Sequence, residues 1–329
     1  MQYFKVINDH TIMCMLCKHH CKIKEGKTGV CGVNKNDGNV LKTLVYGYPA
    51  SLGVDPIEKK PIFHMLPGSK ALSFGTVGCN FKCPFCQNWQ LSQERTIDTS
   101  EYVSPEMMVD LTEKYECRSI AYTYNEPTIF YPYAKDIALL AKEKGLKNIY
   151  VSNGFESDEM IDDMAGLIDA ANIDLKSFDD HYYRKVLKGG LNEILEGLKR
   201  FKKNGIWLEI TTLIVPDDND SDEELTKIAE FIVNELDAQT PWHISAFHPD
   251  YKLLDKARTP ETTLDRAMKI GKKAGLKYIY KGNVPGHADT YCPECDELLI
   301  QREGFTLEKY TLKEGKCPRC AYALEGIWR

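Results

Sequence analysis

The sequence predicts an α/β protein made of six successive strand–helix units, with a cysteine-rich module at each end. Three observations lead there. From Ala71 onward, short apolar runs alternate with longer amphipathic stretches, the pattern of repeated βα units around a parallel sheet. Helix punctuation falls between them: Ser104-Pro105, Ser157-Asp158 and Ser221-Asp222 at starts, and Gly145, Gly205 and Gly275 at stops. Eleven of the twelve cysteines fall into three groups: Cys14, Cys17, Cys21 and Cys31; Cys79, Cys83 and Cys86; Cys292, Cys295, Cys317 and Cys320. Cys117 stands alone in a helical stretch and reads as a small core residue.

The strands are expected at Ala71–Thr76, Ser119–Tyr124, Asn148–Val151, Asn172–Leu175, Leu208–Ile214 and His243–Phe247. The helices are expected near Pro105–Tyr115, Ile129–Lys144, Asp158–Asp169, Leu191–Lys203, Asp222–Glu235 and Thr262–Ala274. Six units make either an incomplete barrel or an open doubly wound sheet, and periodicity does not separate the two. Residues 1–66 are rich in Cys, Lys and Gly and form an N-terminal metal-binding module. Residues 67–285 form the α/β core, and residues 286–329 a C-terminal module entered through Gly282, Pro285 and Gly286.

Composition narrows the function. Apolar residues make up 43% of the 329, enough for a sizeable core. A net charge of −6 gives no general attraction to nucleic acid or anionic lipid. No apolar run is long enough to span a bilayer. Met1–Met13 lacks a basic-then-apolar leader pattern, so the chain is expected in the cytosol. Thiols stay reduced there, so grouped cysteines point to metal rather than disulfides.

Cys79, Cys83 and Cys86 lie directly after the first expected strand, spaced C-x3-C-x2-C. Three thiolates can hold three irons of a cubane and leave the fourth iron open. S-adenosylmethionine (SAM) can chelate an open iron through its amino and carboxylate groups. One electron passed to its sulfonium cleaves a C–S bond and gives a 5′-deoxyadenosyl radical. A structural zinc needs a fourth ligand, and within twenty residues on either side only His64 offers one. In a parallel βα array, active residues gather at the carboxyl ends of strands. Those ends carry Tyr124-Asn125-Glu126-Pro127, Ser152-Asn153-Gly154, Asp174-Leu175-Lys176, Thr211-Thr212 and Phe247-His248-Pro249. Each also has a structural reading: helix capping for Asn125-Glu126-Pro127, a strand-end ion pair for Asp174 and Lys176, a turn for His248. His181 reads as a surface helix residue.

On these residues the central region resembles the radical SAM superfamily, and within it the pyruvate formate-lyase activating enzyme type. Over the whole chain it looks most similar to the radical SAM member of the AmmeMemoRadiSam system. The closer likeness is carried by Cys14-Met-Leu-Cys17-Lys-His-His-Cys21, Glu25-Gly26 through Gly32, Lys60-Pro61, Pro67-Gly68-Ser69, Gln87-Asn88, and Gly282-Asn283-Val284-Pro285-Gly286 leading to Tyr291-Cys292-Pro293. The resemblance implies a partial (β/α)6 TIM-like barrel, a [4Fe–4S] cluster on Cys79, Cys83 and Cys86, and SAM as co-substrate. It places Phe85 against the adenine. Asn125 and Glu126 occupy the stretch that contacts the SAM amino group, although both glycines of that stretch are absent here. Asp174 and Lys176 match an Asp-x-Lys pair near the SAM carboxylate. Ser152 and Asn153 match a neighbouring Thr-Asn pair, with Val151 where that group has Asp. His248 matches a histidine near the ribose and adenine. Implied partners are a reductant such as flavodoxin or ferredoxin, and a protein substrate or a Memo-like or AMMECR-like protein.

Cys292-Pro-Glu-Cys295 and Cys317-Pro-Arg-Cys320 have zinc-ribbon spacing. Four thiolates there would close a tetrahedral zinc site that supplies folding energy to a short tail, with a rubredoxin-like iron as the alternative. Cys14, Cys17, Cys21 and Cys31 fit either a structural zinc or an auxiliary iron–sulfur cluster. Three functions remain open on the residues alone: a radical enzyme that abstracts hydrogen from an unidentified substrate, a zinc-binding adaptor, and an electron-transfer protein.

Overall fold

A computed structural model describes residues 2–329. The N-terminal module is a set of short antiparallel strands: β1 (Phe4–Asn8), β2 (Thr11–Cys14), β3 (Lys22–Lys24), β4 (Asn34–Asp37) and β5 (Val40–Thr43). Strands β1, β2 and β3 form one sheet, β4 and β5 another. The chain then enters the main sheet through β6 (Ser51–Pro56), which pairs antiparallel with β7 (Lys70–Gly75) from Ser51↔Gly75 to Pro56↔Lys70.

After β7 come the short helix α1 (Trp89–Ser92), α2 (Pro105–Lys114), β8 (Ser119–Tyr122), α3 (Tyr131–Glu143), β9 (Lys147–Ser152), α4 (Asp158–Asp163), β10 (Ala170–Asp174), α5 (Asp180–Tyr182), α6 (Leu191–Lys203), β11 (Trp207–Ile214), α7 (Asp222–Phe231), β12 (Trp242–Ala246), α8 (Glu261–Ala274) and β13 (Ile279–Gly282). Local chemistry explains the helices. The Ser104 hydroxyl accepts from the Met107 amide at 3.3 Å, with Pro105 in the first turn, so α2 starts where the sequence predicts. Helix α6 buries Leu191, Ile194, Leu198 and Phe201, a stripe at helical spacing. Helix α4 is shorter than expected. It stops at Asp163, and Gly166 then takes a left-handed φ of +73° that turns the chain toward β10. His181 lies on α5 and is exposed.

All six expected strands are present, and two more extend the sheet. Its order is β13-β12-β11-β10-β9-β8-β7-β6. The strands from β7 to β13 are parallel and follow chain order without reversal. A doubly wound sheet would reverse direction at a switch point. The arrangement is therefore a singly wound arc, a barrel whose first and last strands do not pair. The extra strands β6 and β13 were hard to see because both are edge strands, half-exposed along much of their length.

The segment after β6 plugs the floor of the arc. Glu209, on β11, receives hydrogen bonds from the amides of Phe63 and His64, and its carboxylate lies 2.6 Å from His243 Nε2 on β12. Burial raises the Glu209 carboxyl, but the hydrogen bond and charge of His243 outweigh it, and the net shift is downward. The C-terminal module, β14 (Thr290–Tyr291), β15 (Leu298–Glu303) and β16 (Thr306–Tyr310), packs on this same plug. His64 Nε2 lies 2.8 Å from the Tyr280 hydroxyl of β13. The plug thus bridges the two ends of the open sheet.

Candidate active site

A cavity of about 510 Å³ opens at the carboxyl ends of the parallel strands. Strand alternation determines what faces it. Val151, Asn172 and Glu209 are cross-strand neighbours, as are Asp174, Thr211 and His243, and then Leu213, Ser245 and Gly282. Glu209 and His243 close the floor. Val151, Asn172, Asp174, Thr211, Leu213 and Ser245 line the cavity above them.

The loop after β7 supplies one wall. Cys79, Cys83 and Cys86 all line the cavity, and so does Phe85, which is buried. The loop is tied at several points. Gly78 adopts φ +94°, and a Cβ there would come within 2.8 Å of the Cys31 carbonyl oxygen. Asn125 donates to the Gly78 carbonyl at 2.8 Å and to Thr76 Oγ1 at 3.2 Å. The Phe81 amide donates to Cys79 Sγ at 3.4 Å. Asn88 donates to the Tyr124 carbonyl at 2.7 Å, where Tyr124 itself holds a left-handed φ of +68°.

Two charged clusters flank the thiols. Lys176 Nζ lies 2.6 Å from Asp174 Oδ2. Burial disfavours the ammonium, but the Asp174 carboxylate outweighs it and holds Lys176 firmly protonated. Cys83 is pushed up to about 12, chiefly by burial, with Lys176 pulling the other way. Cys79 is also raised, first by burial and then by Glu126. Such thiols stay neutral unless a cation claims them, which suits a metal site and not a free nucleophile.

Glu126 sits at the base of the second cluster. Its carboxylate accepts from Ser152 Oγ at 2.8 Å, from the amides of Asn153 at 2.9 Å and Thr128 at 3.0 Å, and from the Thr128 hydroxyl. Glu156 shares Ser152 and Thr128 with it and leaves Oε2 without a partner. Asn153 also donates to Asn80 at 2.8 Å, joining the third strand end to the cysteine loop. Sequence reading missed Glu156, although it lies one helical turn past Ser152 in the same loop. Desolvation, followed by repulsion from Glu126, lifts Glu156 from its usual 4.5 to about 7. A carboxyl raised on folding binds its proton more tightly in the native state, so stability falls as pH rises from about 4.5 to about 7. We expect thermal unfolding to show that decline, at most about 1.4 kcal/mol per pH unit for one proton. Glu156→Gln should flatten it. An unchanged slope would mean the two carboxylates are not sharing a proton.

The remaining expected site residues separate. Phe85, Asn125, Glu126, Ser152, Asn153, Asp174 and Lys176 converge on the cavity with the three cysteines. His248 does not line it. It is exposed, 3.0 Å from Gln87 Nε2, and reaches the cavity only through that side chain. Thr123, Asn172, Ser245 and Asn283 line the cavity without having been singled out. Strand alternation alone would have found Asn172 and Ser245. Lys59, Lys60 and Phe305 also line the cavity, from segments far away in sequence.

The profile of the radical SAM superfamily matches residues 74–232. An uncharacterized protein of Methanocaldococcus jannaschii is 42% identical over 99% of this chain and 97% of its own length. The chain belongs to the radical SAM superfamily. A putative glycyl-radical enzyme activating enzyme of the same organism is 26% identical over 64% of this chain and 79% of that one. Among solved structures, a radical SAM methyltransferase from Sphaerobacter thermophilus superposes with a TM-score of 0.52 at 14% identity, covering 67% of this chain and 68% of that one. The fold is thus the α/β fold of radical SAM proteins, and the protein is a radical SAM enzyme that uses a [4Fe–4S] cluster, SAM and a reductant.

The residues present fit that chemistry. The cavity wall offers three cysteine sulfurs and no fourth cysteine or histidine, the donor set that leaves one iron of a cubane free. In the C-terminal module, by contrast, the sulfurs of Cys292, Cys295, Cys317 and Cys320 all lie within 4.8 Å of one another, closed around one point. Among the described residues, no helix is long and apolar enough to cross a membrane.

Proposed function

We propose that the cavity binds SAM against Cys79, Cys83 and Cys86, and that the hydrogen donor is a glycine in a partner protein. The observation that carries the reading is convergence. One cavity gathers three thiols, a buried carboxylate and a charged lysine from separate strand ends. When bound, the cluster supplies the electron that cleaves SAM to methionine and a 5′-deoxyadenosyl radical. The protein's part is positioning. Lys176, held charged by Asp174, meets the SAM carboxylate. Glu126, through the Ser152–Asn153 corner, orients the amino end. Phe85 gives the adenine an apolar wall. Asn125 acts indirectly, by fixing the loop at Gly78. His248 orders Gln87 at the rim.

A protein substrate is favoured by the likeness to a relative named as a glycyl-radical activating enzyme. Phe305, which lines the cavity and is half-exposed, marks a side from which an extended segment would enter. The reductant is a flavodoxin or ferredoxin, and the C-terminal thiolates hold a zinc ion that staples the tail.

The test is anaerobic incubation with SAM, a reductant and proteins labelled with α-deuterated glycine, including a Memo-like or AMMECR-like candidate. Deuterium appearing in 5′-deoxyadenosine supports a glycine donor. SAM cleavage without deuterium transfer sinks the glycine assignment and leaves the radical enzyme. Absence of cleavage sinks the SAM-binding reading of the cavity.

A further inference from the structure

The four N-terminal cysteines gather around one point of the fold, and their spacing bears on what they hold. Cys14 ends β2, and its amide donates to the Cys21 carbonyl at 2.9 Å, closing the loop that carries Cys17. Cys31 enters from the approach to β4. All four line one small cavity walled by Leu16, Ile23 and Ile129. All four are free thiols. Gly29 packs directly against the group: a Cβ there would touch Cys21 Sγ at 3.4 Å. Burial raises the thiols of Cys14, Cys17 and Cys21, with nearby backbone amides pulling the other way. The Leu16, His19 and Val30 amides face the sulfurs of Cys14, Cys17 and Cys21. The buried Asn34 amide lies 3.6 Å from Cys31 Sγ.

Size separates a single ion from a cluster. Zinc holds each thiolate at about 2.3 Å, so no two of its ligands stand more than about 4.6 Å apart. The C-terminal four meet that limit, with Cys292–Cys320 and Cys295–Cys317 sulfur pairs at 3.5 and 3.7 Å. Among the described residues, no three of the N-terminal sulfurs gather within 4.8 Å of one another. Neither do those of Cys79, Cys83 and Cys86, the group that serves a multi-iron cluster. Among the described residues, the N-terminal and central groups both fall outside the limit that the C-terminal group meets. Thiolates that grip separate irons of a bridged cluster stand further apart than those on one ion.

We infer that Cys14, Cys17, Cys21 and Cys31 bind a second iron–sulfur cluster, of two or four irons, and not a structural zinc. This goes beyond the SAM-cleaving cavity and does not depend on it. The placement suits a one-electron carrier. Cys31 abuts Gly78, the residue before Cys79. His19 Nε2 lies 3.0 Å from the Asn80 carbonyl. Lys82 is within electrostatic reach of both Cys79 and Cys31. A low-potential donor of the ferredoxin or flavodoxin class would pass one electron to this cluster, which would hand it to the cluster at Cys79, Cys83 and Cys86 and return to its oxidised state, with no bond made or broken.

Anaerobically purified full-length protein with Cys79→Ala, Cys83→Ala and Cys86→Ala together is the direct test. It should keep iron, acid-labile sulfide and a dithionite-reducible paramagnetic signal, with about one zinc per chain from the C-terminal site. Iron-free protein carrying about two zincs per chain would overturn the proposal. Should the triple variant fail to fold, the wild-type chain decides. It should hold more than the about four irons of one cubane, and about four or fewer would sink the second cluster. Retained iron in the triple variant alongside a wild type that cannot cleave SAM would strike the cavity reading and leave this one standing.

Discussion

Replacing Cys83 with alanine should leave a folded protein whose SAM cleavage is at least about a thousandfold slower, a loss of about 4 kcal/mol or more in transition-state stabilisation. Cys83 is the middle thiol of the three and is buried, facing Lys176. Without it, two thiolates remain for a cluster that needs three, and the next cavity groups, Glu126 and Asp174, are already committed to hydrogen bonds and an ion pair. The fold should tolerate the change, because removing one sulfur opens little space in a cavity already about 510 Å³ in volume. Cys117→Ala is the matched control. It removes another buried cysteine that belongs to none of the three groups, and it should cleave SAM at the wild-type rate. The measurement is 5′-deoxyadenosine formed under dithionite, with iron content and far-ultraviolet dichroism on the same samples. Near-wild-type turnover by Cys83→Ala would remove the central group from the chemistry.

Much of this site was legible because strand ends are local features. The cysteine loop, Asn125-Glu126, Ser152-Asn153 and Asp174-x-Lys176 each follow a recognisable apolar run. A parallel βα array sends all such ends to one rim. Glu209 and His243 lie on strands that were read correctly, yet their role as a floor depends on Phe63 and His64, about 145 residues earlier. Glu156 escaped notice because its significance comes from a shared contact with Glu126, and no spacing rule encodes that pair. His248 shows the opposite limit. Its position after β12 is right for a rim residue, but its exposed ring stops at Gln87, which stands between it and the cavity. The metal sites divide likewise. Spacing grouped the cysteines, while how closely each group's sulfurs gather exists only in three dimensions.

The second large effect is expected at Arg302, where the C-terminal module docks. The Arg302 and Glu58 side chains are fully buried, with Nε 3.4 Å from Oε1. Arg302 also donates to the Phe63 carbonyl at 2.8 Å and to Thr290 Oγ1 at 3.0 Å, and its guanidinium lies 4.5 Å from the centre of the Phe63 ring. Glu58 is less well served. It accepts from the Gly68 amide at 2.8 Å, but Oε2 has no partner. Burial therefore raises the Glu58 carboxyl despite the pull of Arg302. Arg302→Met should destabilise the protein by about 3–5 kcal/mol, because it strands a buried carboxylate. The carboxyl, raised further in the variant, binds a proton more tightly when folded, so the deficit should grow as pH rises above the usual glutamate range and shrink as pH falls toward it. Glu58→Gln with Arg302→Met should recover much of the loss, since a neutral side chain needs no counter-charge. Denaturant unfolding of the full chain at two pH values measures both effects, and a pH-independent deficit would mean that lost packing, not the stranded charge, carries the cost. The consequence reaches the active site. Arg302 lies on β15, and Phe305, three residues on in the turn to β16, lines the cavity at the strand ends. Loosening the buried pair should therefore disturb substrate entry while leaving the cysteine loop, which rests on Asn125 and the N-terminal module, in place.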